Sequence, residues 1–471
     1  MIGHHPSHLR ENAYLKWLSS FKKRVNDWKN GPRPANQPAV IEPHVLPRDQ
    51  HIISRKHISD SALKVMSRLH NAGFSAFLVG GSVRDLLLGK QPKDFDIATD
   101  ARPEQVREVF RNSRIIGRRF KIVHVRFGPE IIEVTTFRAG HSPAGADDDE
   151  DSVDTRHAAR SEEGMLLRDN VYGSVEEDAI RRDFTINALY YTTRNFAVYD
   201  YTSGISDLEQ RVIRIIGDPE TRYREDPVRM LRAVRFAAKL DFSIEPKTAE
   251  PIARLAPMLS AVPAARMFDE VLKLLMAGHG ADTYELMLEY GLFDPLFPAS
   301  AAASADNDAL IVQALRNTDD RVRAGKPVTP AFIYGALLWP ALCAEMRRLE
   351  AMGVPEQPAL QQAAQAVTER QQQHTAIPRR FSQPMREIWE LQWRLPRRDG
   401  RRIQNLLDNP RLRAGYDFLL LREQAGEDTD GLGQWWTEFL NADDDRRAAL
   451  IRQAGQRSPG PRRRRSRKPK A

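Results

Sequence analysis

The 471 residues carry 41% hydrophobic and 28% charged side chains, with 71 Lys and Arg, 63 Asp and Glu, and a single cysteine, Cys343. A chain of this size can hold two to four domains and at least one sizeable core, and one cysteine excludes both a disulfide scaffold and a Cys-rich metal site. No apolar run approaches the ~18 to 20 residues that a bilayer span requires, and no apolar stretch precedes a small-residue cleavage site near Met1, so a cytoplasmic protein is expected.

The net charge of +8 is unevenly placed. From Arg457 onward there are eight basic side chains and no acidic one, so the rest of the chain balances at 63 against 63. The stretch is broken by Pro, Gly and Ser and cannot bury a core, which predicts a disordered basic tail over 456–471. Arg462, Arg463, Arg464 and Arg465 suit an RNA phosphate backbone, where charge neutralisation releases counterions. The alternative is a tail that only solubilises.

In chain order, residues 8–29 place Tyr14, Leu18, Phe21, Val25 and Trp28 on one helical face among lysines. Such a helix could pack on its own protein or touch a membrane surface. Five prolines between Gly31 and Pro47 read as a linker, which gives an N-terminal extension over 1–50. Ser59 or Asp60 caps a helix to about His70, and Gly73 stops it. Phe74–Val79 reads as a strand, Gly80-Gly81 as a turn, and Val83–Leu88 as a short helix. Further strands are expected over Phe95–Ala98, Lys121–Phe127 and Ile131–Phe137. Residues 139–164 are small, polar and acidic and read as a mobile insertion. Beyond residue 219 strand signals fade and helical periodicity runs to about residue 452. The fold class is therefore α+β: a mixed head followed by an all-α body.

The chemistry concentrates in Leu78-Val79-Gly80-Gly81-Ser82-Val83-Arg84-Asp85 and the following Lys93-Asp94-Phe95-Asp96-Ile97. Two glycines between strand and helix let the backbone approach a phosphate, and Arg84 adds a cation. On a strand, Asp94 and Asp96 face the same side. Two carboxylates that close are unfavourable without a cation between them, and oxygen-only ligands point to Mg²⁺.

GGSVRD followed by DFD resembles the catalytic signature of the nucleotidyltransferase superfamily that holds tRNA CCA-adding enzymes and bacterial poly(A) polymerases. The resemblance continues in the same order through Arg181-Arg182-Asp183-Phe184-Thr185-Ile186-Asn187-Ala188-Leu189. Asp200, Gly204, Asp207-Leu208 and Ile213-Arg214 resemble the family's hinge motif, and Glu225-Asp226-Pro227-Val228-Arg229 onward resembles its base-recognition motif. It implies two Mg²⁺ ions on Asp94 and Asp96, with Glu133 as a third carboxylate near them. It also implies nucleotide contacts from Gly80, Gly81, Ser82, Arg84, Asp85, Arg138, Arg182 and Asp183, with Asp183 part of the catalytic group. Asp226 followed by Pro227 is also a good helix start without any ligand. Arg229, Arg232 and Arg235 follow at i+3 spacing near one face; the family reading adds Asp226, Arg229 and Arg232 as nucleotide-binding groups.

The implied reaction is attack by an RNA 3′-hydroxyl on the α-phosphate of ATP, with release of pyrophosphate. The segment Ile115-Ile116-Gly117-Arg118-Arg119-Phe120-Lys121-Ile122-Val123-His124-Val125 resembles the poly(A) polymerase branch, of a gammaproteobacterial type. So does an arginine-rich arm over 376–424, with Arg397, Arg398, Arg401 and Arg402 as RNA contacts. Trp389, Trp393, Tyr416 and Phe418 interleave with those arginines and are either core or stacking groups. CCA addition is the alternative activity, since both branches share the base-recognition motif. A catalytically inactive RNA-binding protein is disfavoured because the Gly-Gly turn and both aspartates are intact, and no His-Asp dipeptide supports an added phosphohydrolase. The expected layout is a head over 51–200, a helical neck over 201–295 and a helical body over 296–455. RNA 3′ ends of mRNA, small RNA and tRNA precursors, the RNA-decay machinery and a monomeric state complete the expectations.

Overall fold

The computed structural model describes residues 42–117, 121–139, 158–160, 166–169, 171–304, 308–398 and 400–457. The helix expected over 8–29, most of the proline-rich linker, most of the acidic insertion and the basic tail lie outside these residues. The described chain divides into two compact units, one ending at Leu255 and the other starting at Ala256.

The first unit is built on an eight-stranded mixed sheet in the order β1-β10-β9-β2-β3-β6-β5-β4. Its strands are β1 (His44–Leu46), β2 (Ala76–Val79), β3 (Asp96–Thr99), β4 (Ser113–Ile116), β5 (Ile122–Phe127), β6 (Glu130–Thr136), β9 (Leu189–Tyr191) and β10 (Val198–Asp200), while Ala158–Arg160 (β7) and Leu166–Asp169 (β8) pair separately. Only β3 and β6 run parallel within the sheet; its other neighbours are antiparallel.

Helix α1 (Asp60–Asn71) starts where the sequence says it should. The Ser59 hydroxyl accepts from the Ala62 N–H at 3.1 Å, a cap worth about 1 kcal/mol. Ala62, Val65, Met66 and Leu69 then form one buried stripe that packs on the sheet at β2, β3 and β6. The sheet's faces follow from its register. Leu78, Ile97, Val134 and Val123 lie side by side across four strands and are at most 1% exposed. The next row, Val79, Asp96, Glu133 and His124, points to the opposite face. There α4 (Val175–Arg181) sends Ala179 into a cluster with Val79, Ala98, Phe137 and Tyr190.

Between these elements lie α2 (Gly81–Leu87), which follows the Gly-Gly turn, and α3 (Pro103–Val109). Then come α5 (Gly204–Gln210), α6 (Pro219–Glu225) and α7 (Val228–Leu240). Both carboxylate oxygens of Asp200 cap the start of α5, accepting from the N–H groups of Thr202, Gly204 and Ile205 at 3.0, 3.0 and 2.9 Å. Gly204 is required by space: a Cβ there would fall far inside contact distance of the Thr185 carbonyl oxygen. Gly204→Ala should therefore cost about 1 to 3 kcal/mol, read as a lowered midpoint in thermal unfolding. Asp207 accepts from Thr185 Oγ1 at 2.6 Å and Arg214 Nε at 3.1 Å, and Arg214 Nη1 reaches Glu245 Oε1 at 2.9 Å. The segment that resembles the hinge motif is thus cross-linked to Thr185 and Glu245. Strand signals do not end at residue 219, because Val212–Ile213 (β11) pairs in parallel with Ser243–Ile244 (β12).

Beyond Ala256 the regular elements of the described residues are all helices, from Ala264–Leu275 to Asp444–Arg457. Trp389, Tyr416 and Phe418 are core residues at 0%, 6% and 0% exposure, and the Trp389 indole N–H donates to the Gly335 carbonyl at 3.0 Å. Among the described residues no helix is long and apolar enough to cross a membrane.

Candidate active site

Strand β3 begins at Asp96, one residue later than expected, so Asp94 lies in the segment before it. The two carboxylates are therefore not a strand pair in the strict sense; Asp94 is exposed and Asp96 is half-buried at the strand's first position. Among the described residues neither carboxylate forms a hydrogen bond or ion pair. Register places Asp96 beside Val79, the last residue before the Gly-Gly turn, and beside Glu133 on its other flank. Burial, then the charges of Glu133 and Asp94, push the Asp96 carboxyl up to about 6, with Arg182 opposing them. The Asp94 and Asp96 carboxylates, with no donor among the described residues to neutralise them, are what a hard cation satisfies. No group of three or more His, Cys, Asp or Glu side chains closes around a metal position among the described residues. Mg²⁺ does not need a closed cage, because it keeps waters and takes substrate phosphate oxygens.

Glu133 keeps 47% side-chain exposure and pairs with His124, whose Nε2 lies 3.2 Å from Oε1. His124 is a residue that sequence reasoning did not single out. The alternation of β5, together with a glutamate opposite it, was the available signal.

Gly80 takes φ +70°, ψ −136°, a conformation open to glycine. A Cβ at this position would lie 3.5 Å from Arg182 Nη1, so the turn and that guanidinium face each other closely. Arg182 is anchored from behind: Nε donates to the Tyr190 hydroxyl at 2.7 Å and Nη2 to Asp178 Oδ2 at 3.1 Å. Tyr190 donates to the same Asp178 oxygen at 2.6 Å, and Asp178 Oδ1 accepts the Arg138 backbone N–H at 3.2 Å. Burial opposes the charge of Arg182, yet Tyr190 and Asp178 hold it more firmly than in water. Asp178 and Tyr190 carried no motif signal; their function becomes visible only once α4 sits on β9.

Arg84 is turned inward rather than left open for phosphate. It is 2% exposed; Nε and Nη2 donate to Asp85 Oδ1 at 2.8 and 2.7 Å, and Nη1 to Asn187 Oδ1 at 2.6 Å. Asp85 also meets Lys239 at 3.6 Å, and the Ser82 hydroxyl donates back to the Val79 carbonyl at 2.9 Å. These three side chains brace the turn, leaving its backbone to face the site.

Asp183 Oδ2 accepts from Arg232 Nε at 2.7 Å and Nη2 at 2.5 Å, while Oδ1 accepts from the Phe184 N–H at 2.8 Å and Asn187 Nδ2 at 3.2 Å. Burial would raise its carboxyl, but Arg232 and these donors outweigh it and hold it at about 2. Asp226 stands extended between α6 and α7, with φ −150° and ψ 95°, and Pro227 is already helical at φ −57°, ψ −23°. The Asp-Pro start is therefore present, with the regular helix beginning at Val228. Arg229 is held at 12% side-chain exposure by Glu225 Oε2 at 3.0 Å and by the Arg222 carbonyl at 2.7 Å. Arg138, Arg181, Arg222 and Arg229 crowd one another. Burial and then its three neighbours lower the Arg181 guanidinium to about 10, as like charges gathered together do.

The RNA contacts expected in the second unit are less concentrated. The Arg397 guanidinium lies 3.2 Å from the ring centroid of half-buried Trp393, and that of Arg398 lies 5.0 Å from the centroid of Trp435. Arg402 is exposed. The side chain of Arg401 and residues Arg462 to Arg465 lie outside the described residues.

A strand–Gly-Gly–helix turn in register with a carboxylate at the head of the next strand, backed by arginines, defines a nucleotidyltransferase head. Family models match in three stretches: "Poly A polymerase head domain" over 76–214, "Probable RNA and SrmB- binding site of polymerase A" over 241–304, and "Polymerase A arginine-rich C-terminus" over 352–470. The chain is 50% identical over 439 residues to poly(A) polymerase I of Salmonella typhimurium, covering 91% of this chain and 93% of that one. A CCA-adding enzyme of Lactobacillus helveticus is 38% identical over 228 residues, 48% of this chain and 53% of that one. A solved CCA-adding enzyme with CTP shares the fold at a TM-score of 0.55 and 18% identity, over 87% of this chain and 90% of that one. The chain belongs to the poly(A) polymerase I family.

Proposed function

We propose that this chain adds AMP from ATP, without a template, to RNA 3′ ends in the cytoplasm, and that the added tails mark those RNAs for decay. The observation that carries the activity is the 50% identity to a poly(A) polymerase I across 91% of the chain. The match to CCA-adding enzymes covers only about half of it.

In this reading Asp94 and Asp96 hold two Mg²⁺ ions, which when bound supply charge that acidifies the RNA 3′-hydroxyl and offsets charge on departing pyrophosphate. Glu133, steadied by His124, faces the side of the attacking hydroxyl. The backbone of Gly80 and Gly81 meets the triphosphate, with Arg182 as its nearby cation and Arg138 behind it. Asp183, oriented by Arg232, meets the ribose, and Asp226 and Arg229 present hydrogen-bonding edges to the base. Ser82, Arg84 and Asp85 serve by keeping the turn in shape. The work of the protein is positioning and electrostatics.

The test against the CCA-adding alternative is a tRNA lacking its terminal CCA, offered CTP alone with Mg²⁺. The proposal expects little CTP incorporation, whereas addition of two C residues and then arrest assigns the chain to the other branch. For the RNA contacts, deletion of 457–471 removes eight positive charges. The log–log salt slope of RNA binding should fall by as much as about 6 with catalysis retained. An unchanged slope makes the tail a solubiliser.

A further inference from the structure

Arg222 carries no role in the sequence motifs, yet its side chain joins the two parts of the nucleotide site. It sits on α6. Nη1 donates to Glu225 Oε2 at 2.7 Å, and Nη2 donates to the carbonyls of Arg181 and Arg182 at 2.6 and 2.8 Å. Those carbonyls belong to the C-terminal end of α4, where helix carbonyls lack partners within the helix and attract a cation. From the same residue, the backbone carbonyl accepts Arg229 Nη1 at 2.7 Å, and the shared Glu225 oxygen accepts it again at 3.0 Å.

We propose that Arg222 is a positioning residue that sets nucleotide selectivity by fixing the Arg229 guanidinium relative to the Arg182–Asp183 segment. The proposal rests on the reading of Asp226 and Arg229 as the base-recognising pair. Both acceptors of Arg229 Nη1, the Arg222 carbonyl and Glu225 Oε2, belong to α6, and the Arg222 fork bolts α6 to the segment that carries Arg182 and Asp183. A base edge is discriminated by the direction of donors and acceptors, so a shift of about 1 Å in Arg229 costs about 100-fold. The fork is used for structure at a price in solvation. It is 13% exposed, its Nε is buried without a hydrogen-bond partner, and burial followed by the charge of Arg229 lowers its pKa to about 10. A lysine cannot replace the fork, because one ammonium does not span Glu225 and two carbonyls in a plane.

The experiment measures kcat/KM for ATP and for CTP, with Mg²⁺ and an RNA ending in A. It uses the wild type, Arg222→Met, Arg222→Lys, Arg229→Met and the double variant Arg222→Met/Arg229→Met. The ATP-over-CTP ratio should fall about 10- to 100-fold in Arg222→Met and part of that way in Arg222→Lys. The double variant should fall no further than Arg229→Met, because Arg222 acts through Arg229. A merely structural role lowers both substrates equally; an unchanged ratio overturns the proposal, as does a double variant in which the two effects multiply. If Arg222→Met does not fold, the ratio in Arg222→Lys decides in the same way. A wild type that does not prefer ATP overturns the proposed function itself, a result distinct from any of these.

Discussion

Asp94→Ala and Asp96→Ala should each lower AMP addition by about a thousand-fold or more, since metal-borne charge stabilisation is worth several kcal/mol. RNA binding and far-UV circular dichroism should remain close to wild type, because neither carboxylate is tied to the fold by a hydrogen bond or ion pair among the described residues. A second effect separates activity from stability. The Asp96 carboxyl is raised to about 6 by burial and by Glu133, so the folded protein holds that proton more tightly than the unfolded chain. Its contribution to stability is present below about pH 4 and is lost as pH rises through 6. Without Mg²⁺, Asp96→Asn should therefore unfold at a higher temperature than wild type at pH 8, with the gain shrinking towards pH 4. Near-normal turnover in either alanine variant would contradict the role assigned to the pair.

Arg232→Met should be the most damaging change to stability near the site, at about 3 kcal/mol. It leaves the Asp183 carboxylate at 12% exposure without its cation, and breaking a buried ion pair from one side costs more than the pair contributes. The pH dependence gives the sign. With Arg232 present, Asp183 titrates near 2. Its stabilising contribution is thus present above the unfolded value near 4 and is lost only as pH falls through about 2. Without Arg232, burial dominates and the carboxyl rises above its unfolded value, so the folded variant holds this proton more tightly than the unfolded chain and the contribution is lost as pH rises, not as it falls. The stability deficit of the variant, read by denaturant unfolding across the pH range, should be largest near neutrality and shrink on acidification; a deficit that is the same at every pH would mean that Arg232 does not hold Asp183 in its ionised form.

Much of this site was legible because its chemistry is local in sequence. The Gly-Gly turn, the Asp94-Phe95-Asp96 triplet and the Asp226-Pro227 helix start each announce themselves within a few residues, and Ser59 caps α1 as its type demands. Glu133 was readable as a charge on an otherwise apolar strand. What could not be read was the partnership between segments. Arg84 looks like a phosphate cation until Asn187, 103 residues later, accepts its Nη1. Asp178 and Tyr190 are ordinary residues until the packing of α4 on the sheet brings them behind Arg182. Arg222 is one arginine among many until its fork meets the carbonyls of Arg181 and Arg182. The strict i, i+2 strand argument failed because β3 pairs only from Asp96 onward, opposite Val79 and Glu133, which leaves Asp94 two residues outside it. In the second unit, the aromatics Trp389, Tyr416 and Phe418 repeat at spacings that serve core and stacking equally, and burial assigns them to the core.

The most direct measurement is product length on an unstructured RNA ending in A, with Mg²⁺ and each nucleoside triphosphate supplied alone. A long ladder with ATP and little extension with CTP is expected. No extension with ATP, or extension with CTP that equals it, would contradict poly(A) addition by this site.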